Sequence, residues 1–377
     1  MFGKRITLFK LFGFPIRIEM SWLIIAVLIT WSLAAGYFPQ SYKNLSQAAY
    51  WIMGVIGALG LFMCIILHEL GHSLVARHYG LKMKGIVLFI FGGVSEMPDE
   101  PAEPKVEFLM ALSGPAVSGA IAAVSYAASL PAWPVPVKAL LSFLWQFNAV
   151  LLVFNLVPAF PLDGGRVLRA VLWRQKNDML WATNITSQIG SAFGFFMVCM
   201  GVLSLIAGNV IGAVWWFLLG MFLSNAAKMS YQQLLWRQML SKTKVEHLMN
   251  PEPKTVPPEI STEEFVENYV YRYHFNMFPA MRNGEIVGCV STEEVKKVPR
   301  EQWATHPVEE LLRPCSLENT IGPDEGAQEA LKKMTSSGVS RLLVMRENRL
   351  VGIITLKDMR GYIAQRMELE GDGRNTF

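Results

Sequence analysis

Two histidines and a glutamate at a fixed spacing are the first residues that suggest a chemical role. They lie in HELGH, residues 68–72. Because four positions separate His68 from His72, both imidazoles lie on one face of a helix and can reach a single metal ion. Glu69 projects about 100° round the helix from His68, so its carboxylate can reach a metal-bound water. Zinc lowers the pKa of such a water to about 7, which would let Glu69 act as a general base.

The sequence around HELGH favours a metal site over a structural role. An apolar run from Trp51 leads into the motif and is long enough to cross a bilayer. The alternative is a helix end whose two histidines are satisfied by hydrogen bonds. An ionisable residue inside an apolar span costs roughly 2.5–3.5 kcal/mol on insertion scales, and such residues are functional by default. The metal site is therefore the stronger interpretation.

A third ligand is expected because catalytic zinc usually has three protein ligands and one open position. A later apolar span ends in NLVPAFPLDGG, residues 155–165, where prolines interrupt the helix and glycines permit close backbone approach. Asp163 is the candidate ligand; the alternative is a polar loop that only ends the helix. Asn155 lies at membrane depth, where an unpaired amide is costly. It either binds a substrate carbonyl or satisfies exposed backbone.

The composition places these residues in a membrane domain. Hydrophobic residues make up 52% of the chain and charged residues 17%, which is too apolar for a purely soluble protein. Apolar runs lie before residue 228 and charges are dense after it, so a membrane half precedes a soluble half. The net charge of +4 lies in loops without an aromatic-laced basic patch, which argues against nucleic acid as a partner. The four cysteines show neither metal-ligand spacing nor a disulfide framework.

Six apolar segments approach the length of about 20 residues that crosses the hydrocarbon core. They are Ser21–Tyr37, Trp51–His72, Val106–Leu130, Ala139–Leu156, Ile189–Ala207 and Val210–Ala226. Basic and nearly neutral loops alternate between them, which predicts a multi-pass protein of the cell membrane with both termini in the cytoplasm. The first segment could also belong to a signal peptide, but its length and late start favour an uncleaved anchor.

Residues 82–97 predict a β-hairpin that dips into the membrane beside the metal. They are too short and too β-branched for a further span, and irregular backbone is tolerated at that depth only where protein shields it. The hairpin edge, with Gly92 and Gly93, could pair with an extended substrate through main-chain hydrogen bonds. A structural loop plug is the alternative.

Together these motifs resemble the site-2 proteases, a family of intramembrane zinc metalloproteases. HELGH closes one span, Gly92 and Gly93 lie in the hairpin, SGP at residues 113–115 opens the next span, and NxxPxxPLDGG follows at residues 155–165. The resemblance covers roughly residues 1–228. The family often carries asparagine three residues after the Gly-Pro pair, where this chain has Ser118, and we expect that difference to leave the ligands unaffected.

The resemblance implies one zinc ion per chain and a role for each motif. His68, His72 and Asp163 would be the zinc ligands, and Glu69 would be the catalytic base. Asn155 would help to bind the substrate backbone.

The soluble half contains a weak internal repeat with a period of about 64 residues. LMNP at residues 248–251 recurs as LLRP at 311–314, and MRNGEIVG at 281–288 recurs as MRENRLVG at 345–352. Both copies resemble CBS motifs, the second more clearly than the first. The resemblance implies that the pair could bind an adenine nucleotide, ATP or AMP.

Four positions match the ribose and phosphate contacts of CBS pairs. They are Asp358 and Thr355 in the second copy, and Glu294 and Ser291 in the first. A carboxylate suits ribose hydroxyls, and a small hydroxyl at a helix start suits phosphate. The alternative is a ligand-free pair that serves homodimerisation.

The predicted fold is a polytopic α-helical membrane domain, residues 1–228, with about six transmembrane helices plus a membrane-associated β-hairpin. A linker at residues 229–244 precedes a soluble α/β CBS pair at residues 245–363. A disordered tail is predicted for residues 364–377.

The favoured hypothesis is zinc-dependent cleavage of transmembrane protein substrates within the lipid bilayer, in regulated intramembrane proteolysis, with adenine nucleotide acting through the CBS pair. The competing class is a CBS-gated divalent metal transporter or channel, in which His68, His72 and Asp163 form a transit site. Transport needs no base beside the ligands, so Glu69 separates the two hypotheses. An inactive zinc-binding relative is disfavoured because every proposed catalytic position is filled.

Overall fold

The computed structural model describes residues 5–90, 92–97, 100–241, 243–314, 319–347 and 349–370. Within these residues six helices are long and apolar enough to cross a membrane: Met20–Ser41, Gln47–His78, Pro104–Ser129, Val135–Asn155, Met179–Ile206 and Val210–Ser241. The predicted count of spans is confirmed. Several of the helices run well beyond the apolar segments that predicted them.

The chain divides into two compact units, Met1–Gln232 and Gln233–Phe377. The helices up to this boundary are α1 (Met20–Ser32), a π-helical segment (Leu33–Tyr37), α2 (Phe38–Ser41), α3 (Gln47–His78), α4 (Pro104–Ser129), α5 (Val135–Asn155), α6 (Asp163–Lys176), α7 (Met179–Ile206) and α8 (Val210–Ser241). The boundary falls inside α8, so most of the predicted linker at residues 229–244 is helical.

Helix α3 carries HELGH and lies at the centre of the first unit. The side chain of Ser46 accepts a hydrogen bond from the Ala49 backbone N–H at 3.2 Å and caps its first turn. The helix continues past His72 to His78. HELGH therefore lies inside a regular helix rather than at its end, and helical geometry fixes the spacing of the two imidazoles.

Four strands form one sheet in the order β1-β2-β3-β4. Their bounds are β1 Arg5–Leu11, β2 Phe14–Glu19, β3 Gly85–Phe89 and β4 Gly92–Glu96. β3 and β4 are antiparallel, with Gly85 opposite Glu96 and Phe89 opposite Gly92. The predicted hairpin is confirmed, and β4 lies at one edge of the sheet.

The N-terminal β1–β2 hairpin was not predicted from the sequence. Phe14, Ile16 and Ile18 alternate into a buried cluster with Ile66 and Leu70 of α3. β2 also pairs in parallel with β3. The basic N-terminal segment therefore holds the β3–β4 hairpin against the helix that carries HELGH.

The segment between the predicted spans Ala139–Leu156 and Ile189–Ala207 contains a further helix, α6. α5 ends at Asn155, and a short turn leads to Asp163, the first residue of α6. Ala170 and Trp173 are among the residues that α6 buries. Asn177 ends the helix in the left-handed region, with φ of 55°. The extra helix gives the candidate third ligand a defined position.

The second unit contains two small sheets. β5 (Met277–Arg282) pairs with β6 (Glu285–Ser291), and β7 (Thr320–Ile321), β8 (Arg341–Arg346) and β9 (Arg349–Thr355) form the other sheet. Its helices are α9 (Thr262–Phe265), α10 (Tyr271–Tyr273), α11 (Thr292–Val295), α12 (Ala327–Ser337) and α13 (Leu356–Glu370). A β-hairpin followed by a helix recurs in both halves, as the internal repeat predicts.

The two repeats exchange the segments with which they begin. Asn250 of the first repeat forms reciprocal backbone hydrogen bonds with Ile353 of β9, at 2.8 and 3.0 Å. Arg313 of the second repeat forms the equivalent bonds with Cys289 of β6, both at 2.9 Å. The recurring Leu-x-x-Pro segments therefore each complete the sheet of the other repeat.

The C-terminal prediction is corrected by α13. This helix runs to Glu370, so residues 364–370 are helical rather than a disordered tail. Met359 and Ile363 pack into the core of the second repeat and anchor the helix. Residues 371–377 lie outside the described part of the chain.

Candidate metal centre

Three donor atoms from α3 and α6 meet inside the first unit. Nε2 of His68 lies 3.1 Å from Oδ2 of Asp163, and Nε2 of His72 lies 3.3 Å from the same oxygen. The two Nε2 atoms are 3.3 Å apart. All three side chains are buried, with 4–8% of each residue exposed. The structure therefore brings together the three residues that the sequence suggested as ligands.

The far side of each imidazole is held by α4. Nδ1 of His72 donates to the Met110 carbonyl at 2.7 Å, so the lone pair that a neutral imidazole offers to a metal would be on Nε2. Nδ1 of His68 lies 2.9 Å from Oγ of Ser118. Such outer partners fix the orientation of a metal-binding imidazole. Ser118 therefore contacts a candidate ligand directly, contrary to the expectation that the residue at this position leaves the ligands unaffected.

Close backbone approach makes room for the three donors. A Cβ added at Gly114 of α4 would lie 2.3 Å from Nε2 of His72 and 2.7 Å from Nε2 of His68. On the other side, a Cβ at Gly164 would lie 2.3 Å from the Leu156 carbonyl oxygen. Both glycines are sterically required, because no side chain fits where the helices and the turn meet.

Glu69 occupies a different place from Asp163. Ligand atoms of His68, Glu69 and His72 lie within 4.8 Å of one another, whereas Asp163 contacts both imidazoles at 3.1–3.3 Å. Oε2 of Glu69 instead accepts a hydrogen bond from Oγ of Ser95 in β4, at 2.8 Å. Asp163 therefore has the geometry of a ligand, and Glu69 that of a neighbour.

The other predicted substrate-binding residues have separate surroundings. Gly92 begins β4 with φ of 130°, and its Cβ position is open. A Cβ at Gly93 would lie 3.0 Å from Cγ of Glu69, so this glycine lets β4 approach the glutamate. Asn155 is the last residue of α5 and is partly exposed. Within the described residues no hydrogen bond joins its side chain to the three-residue cluster.

In the second repeat, Thr355 immediately precedes helix α13 and Asp358 lies in its first turn. Oγ1 of Thr355 donates to Oδ2 of Asp358 at 2.7 Å, and the Thr355 backbone N–H donates to the same oxygen at 3.0 Å. Asp358 lines a cavity of about 650 Å³ together with the basic side chains of His247, Lys357 and Arg360.

In the first repeat, the matched carboxylate, that of Glu294, forms two ion pairs. Lys297 donates to Glu294 at 2.7 Å, and Arg313 forms a second ion pair with it. The hydrogen bond from Lys297, with the charge of Arg313, holds the pKa of Glu294 below its ordinary value. Ser291 is the N-cap residue of the four-residue helix α11, but its side chain makes no cap hydrogen bond.

Comparison with known proteins supports the family resemblance. Residues 56–137 and 131–200 match the sequence profile of Peptidase family M50, and residues 245–301 and 308–365 match that of the CBS domain. Rip3 of Mycobacterium tuberculosis, a provisionally named zinc metalloprotease, is 32% identical over 360 residues, which cover 94% of this chain and 91% of the relative. The chain belongs to peptidase family M50.

Two further proteins from one archaeal species are similar to this chain. Zinc metalloprotease MJ0392 of Methanocaldococcus jannaschii is 30% identical over 94% of each chain. The solved site-2 protease from Methanocaldococcus jannaschii is 30% identical, with a TM-score of 0.40, and covers 60% of this chain and 94% of that one. The M50 and CBS profiles, the zinc metalloprotease relatives and the six apolar helices make this M50 chain a multi-pass membrane protein of a zinc metalloprotease family, with a tandem CBS pair.

Several contacts around this M50 site were not found from the sequence. Ser95, Met110 and Ser118 each touch one of the motif residues, and Glu107 forms a buried ion pair with Arg169 of α6. Their types and spacing give no chemical signal on their own. Only Glu107 gave a sequence signal, because it is a carboxylate inside the apolar segment Val106–Leu130.

Proposed function

We propose that the chain is a zinc-dependent intramembrane endopeptidase that cleaves transmembrane protein substrates. The observation that carries this proposal is the convergence of His68 Nε2, His72 Nε2 and Asp163 Oδ2, which lie 3.1–3.3 Å from one another. A tetrahedral zinc site with bonds of about 2.0–2.1 Å would separate its ligand atoms by about 3.3 Å. The donor set, its spacing and its burial all fit one zinc ion per chain.

The residues around the cluster suit peptide hydrolysis. Zinc, when bound, supplies Lewis-acid chemistry that activates water and polarises a carbonyl. A Glu69 carboxylate oxygen lies within 4.8 Å of the imidazole donor atoms, and its Oε2 accepts a hydrogen bond from Ser95. From this position the carboxylate would take a proton from the attacking water and give it to the leaving amine. A transit site for ions needs no such base.

The edge of the sheet suits an unwound substrate segment. Among the described strands β4 pairs only with β3, so its other edge can accept main-chain hydrogen bonds from a further strand. Gly92 has an open Cβ position and Gly93 approaches Glu69, so a substrate strand paired with β4 would lie close to the proposed base. Asn155 is the candidate donor to a substrate carbonyl.

The remaining proposals concern regulation and orientation. A nucleotide, ATP or AMP, would bind the second CBS repeat, because the cavity there combines the Asp358 carboxylate with basic side chains. Nucleotide binding would then adjust cleavage in regulated intramembrane proteolysis.

The alternation of basic and nearly neutral loops supports a membrane orientation with both termini in the cytoplasm. The CBS pair could also support a homodimer.

The test is Glu69→Gln in the full-length protein, reconstituted with a transmembrane substrate. We expect this variant to retain bound zinc, measured by elemental analysis, and to lose cleavage by at least two orders of magnitude, since general acid–base catalysis contributes about 10²–10⁴-fold. Glu103→Gln is the matched control, because Glu103 is exposed and precedes α4. A Glu69→Gln variant that still cleaves would rule out the proposed mechanism and favour transport.

A further inference from the structure

We propose that Ser95 of β4 is a positioning residue that orients the Glu69 carboxylate, an inference that rests on the proposed function. Oγ of Ser95 lies 2.8 Å from Oε2 of Glu69. Hydrogen bonds to an ionised carboxylate are roughly twice as strong as neutral ones. A long, partly exposed side chain such as Glu69 loses rotamer freedom when one oxygen is held in this way.

The neighbouring serine determines where the Ser95 proton goes. Oγ of Ser73 donates to the backbone carbonyl of Glu69 at 2.9 Å. Ser95 lies 3.2 Å from that carbonyl oxygen but 2.8 Å from the carboxylate. Since a hydroxyl has one proton, Ser73 satisfies the carbonyl and Ser95 can donate to the carboxylate. The two hydroxyl oxygens lie 3.1 Å apart, but no hydrogen bond joins them in this arrangement because both protons are donated elsewhere.

A second residue of β4, Gly93, lies close to the aliphatic part of the Glu69 side chain. Gly93 and Ser95 are two residues apart, so they lie on one face of β4. A Cβ at Gly93 would lie 3.0 Å from Cγ of Glu69 and 3.0 Å from Cγ2 of Ile65. β4 therefore constrains both the aliphatic part and the carboxylate of the base.

In this arrangement, β4 links substrate binding to the position of the Glu69 carboxylate. β4 is the edge strand proposed to pair with the substrate, and its main chain would form the new hydrogen bonds while Ser95 keeps its contact with Glu69. Displacement of β4 by a poorly paired substrate would move the base as well. Ser95 touches no reacting atom in this scheme and acts only through Glu69.

The experiment compares Ser95→Ala with the isosteric pair Ser95→Thr and Ser95→Val in the reconstituted full-length protein. Thr keeps the hydroxyl and Val replaces it with a methyl group of similar size. We expect Ala and Val to lower kcat by about 10–100-fold, as outer-shell substitutions do, with KM and zinc content unchanged. Thr should retain kcat within about threefold of the parent. The control is Ser129→Ala, which removes a buried hydroxyl bonded within its own helix to the Tyr126 carbonyl.

The outcomes separate this inference from the proposed function. Equal kcat for the Thr and Val variants, or a change confined to KM, would show that Ser95 does not position the base. If Glu69→Gln is inactive and Ser95→Ala is fully active, only the role of Ser95 fails. If Glu69→Gln is active, the proposed function itself fails. Because Thr and Val differ only in the hydroxyl, a general loss of folding cannot imitate the expected split.

Discussion

The candidate metal site depends on the absence of a side chain as much as on its three donors. Gly114 lies against both imidazoles, and a Cβ there would approach the two Nε2 atoms at 2.3 and 2.7 Å. Separations below 3 Å require movement of the rings or of α4. Since Ser118 and Met110 hold the opposite side of the rings, the rings cannot retreat without losing those contacts.

We therefore expect Gly114→Ala to abolish stoichiometric zinc binding while the helices remain folded. Elemental analysis gives the zinc content, and circular dichroism in detergent gives the helical content. Gly119→Ala is the matched control on the same helix, because its Cβ would meet only Leu152 at an ordinary 3.5 Å. A Gly114→Ala protein with one zinc per chain would contradict the geometry of the site.

Among individual residues, the sequence predicted the three candidate ligands but not the residues that hold them in place. His68 and His72 are separated by one helical turn, so local spacing is sufficient to pair them. Asp163 was found because its glycine- and proline-containing segment ends an apolar span. Ser95 and Ser118 were missed as partners because their contacts depend on how β4 and α4 pack against α3, which no local pattern specifies.

At the scale of elements, a buried ion pair fixes α6 and hence Asp163. Nε of Arg169 donates to Oε1 of Glu107 in α4 at 2.7 Å, and the guanidinium lies 5.1 Å from the centre of the Phe160 ring. Glu107 and Arg169 are 0% and 5% exposed. Phe160 lies in the turn before Asp163, so the same arginine contacts α4 and the segment that carries the candidate third ligand.

We expect Arg169→Ala to lower the free energy of unfolding by about 3 kcal/mol, the lower end of the range for a broken buried pair. The variant removes the hydrogen bonds to the buried Glu107 carboxylate and leaves it only Arg166, whose Nε lies 3.9 Å away. Chemical unfolding in detergent micelles measures this loss. Arg174→Ala, an exposed position on the same helix, is the control and should change stability little.

The double variant Glu107→Gln with Arg169→Met tests the reason for that loss. Removing both charges should recover most of the stability, because no uncompensated charge remains buried. A double variant as unstable as Arg169→Ala would show that packing of the arginine, rather than its charge, holds α6 in place.

The two β-hairpins of the first unit differed in how well the sequence predicted them. The β3–β4 hairpin was predicted because its apolar run is too short for a span. The β1–β2 hairpin was overlooked although Phe14, Ile16 and Ile18 alternate. The four basic residues among the first 20 suggested only a basic lead-in to the first span. A period of two in FPIRIE, after the turn at Phe12 and Gly13, is the pattern that predicts it.

For the whole molecule, composition was sufficient to separate a membrane half from a soluble half. It could not give the lengths of the helices, because polar residues continue a helix once packing supports it. α8 runs from the apolar span to Ser241, and α13 reaches Glu370 through residues predicted to be disordered. The exchange of segments between the CBS repeats was equally hidden, since it depends on pairing between residues far apart in the chain.

The final prediction concerns the second CBS repeat as the nucleotide site. Its Asp358 lines a cavity with basic side chains, whereas Glu294 of the first repeat is held by Lys297 and Arg313. Asp358→Asn should therefore weaken ATP binding to the full-length protein at least tenfold, which corresponds to about 1.4 kcal/mol. Isothermal titration measures the change.

The matched control is Glu294→Gln, which alters the equivalent carboxylate and should leave ATP affinity within about twofold. If Glu294→Gln weakens binding and Asp358→Asn does not, the nucleotide site lies in the first repeat instead. Cleavage assays with the same proteins extend the test to regulation. Because a ligand shifts an equilibrium only by its differential affinity for two states, ATP should change the cleavage rate of the parent but not of Asp358→Asn at the same ATP concentration. An unchanged parent rate despite measured binding would mean that the CBS pair binds nucleotide without controlling the protease.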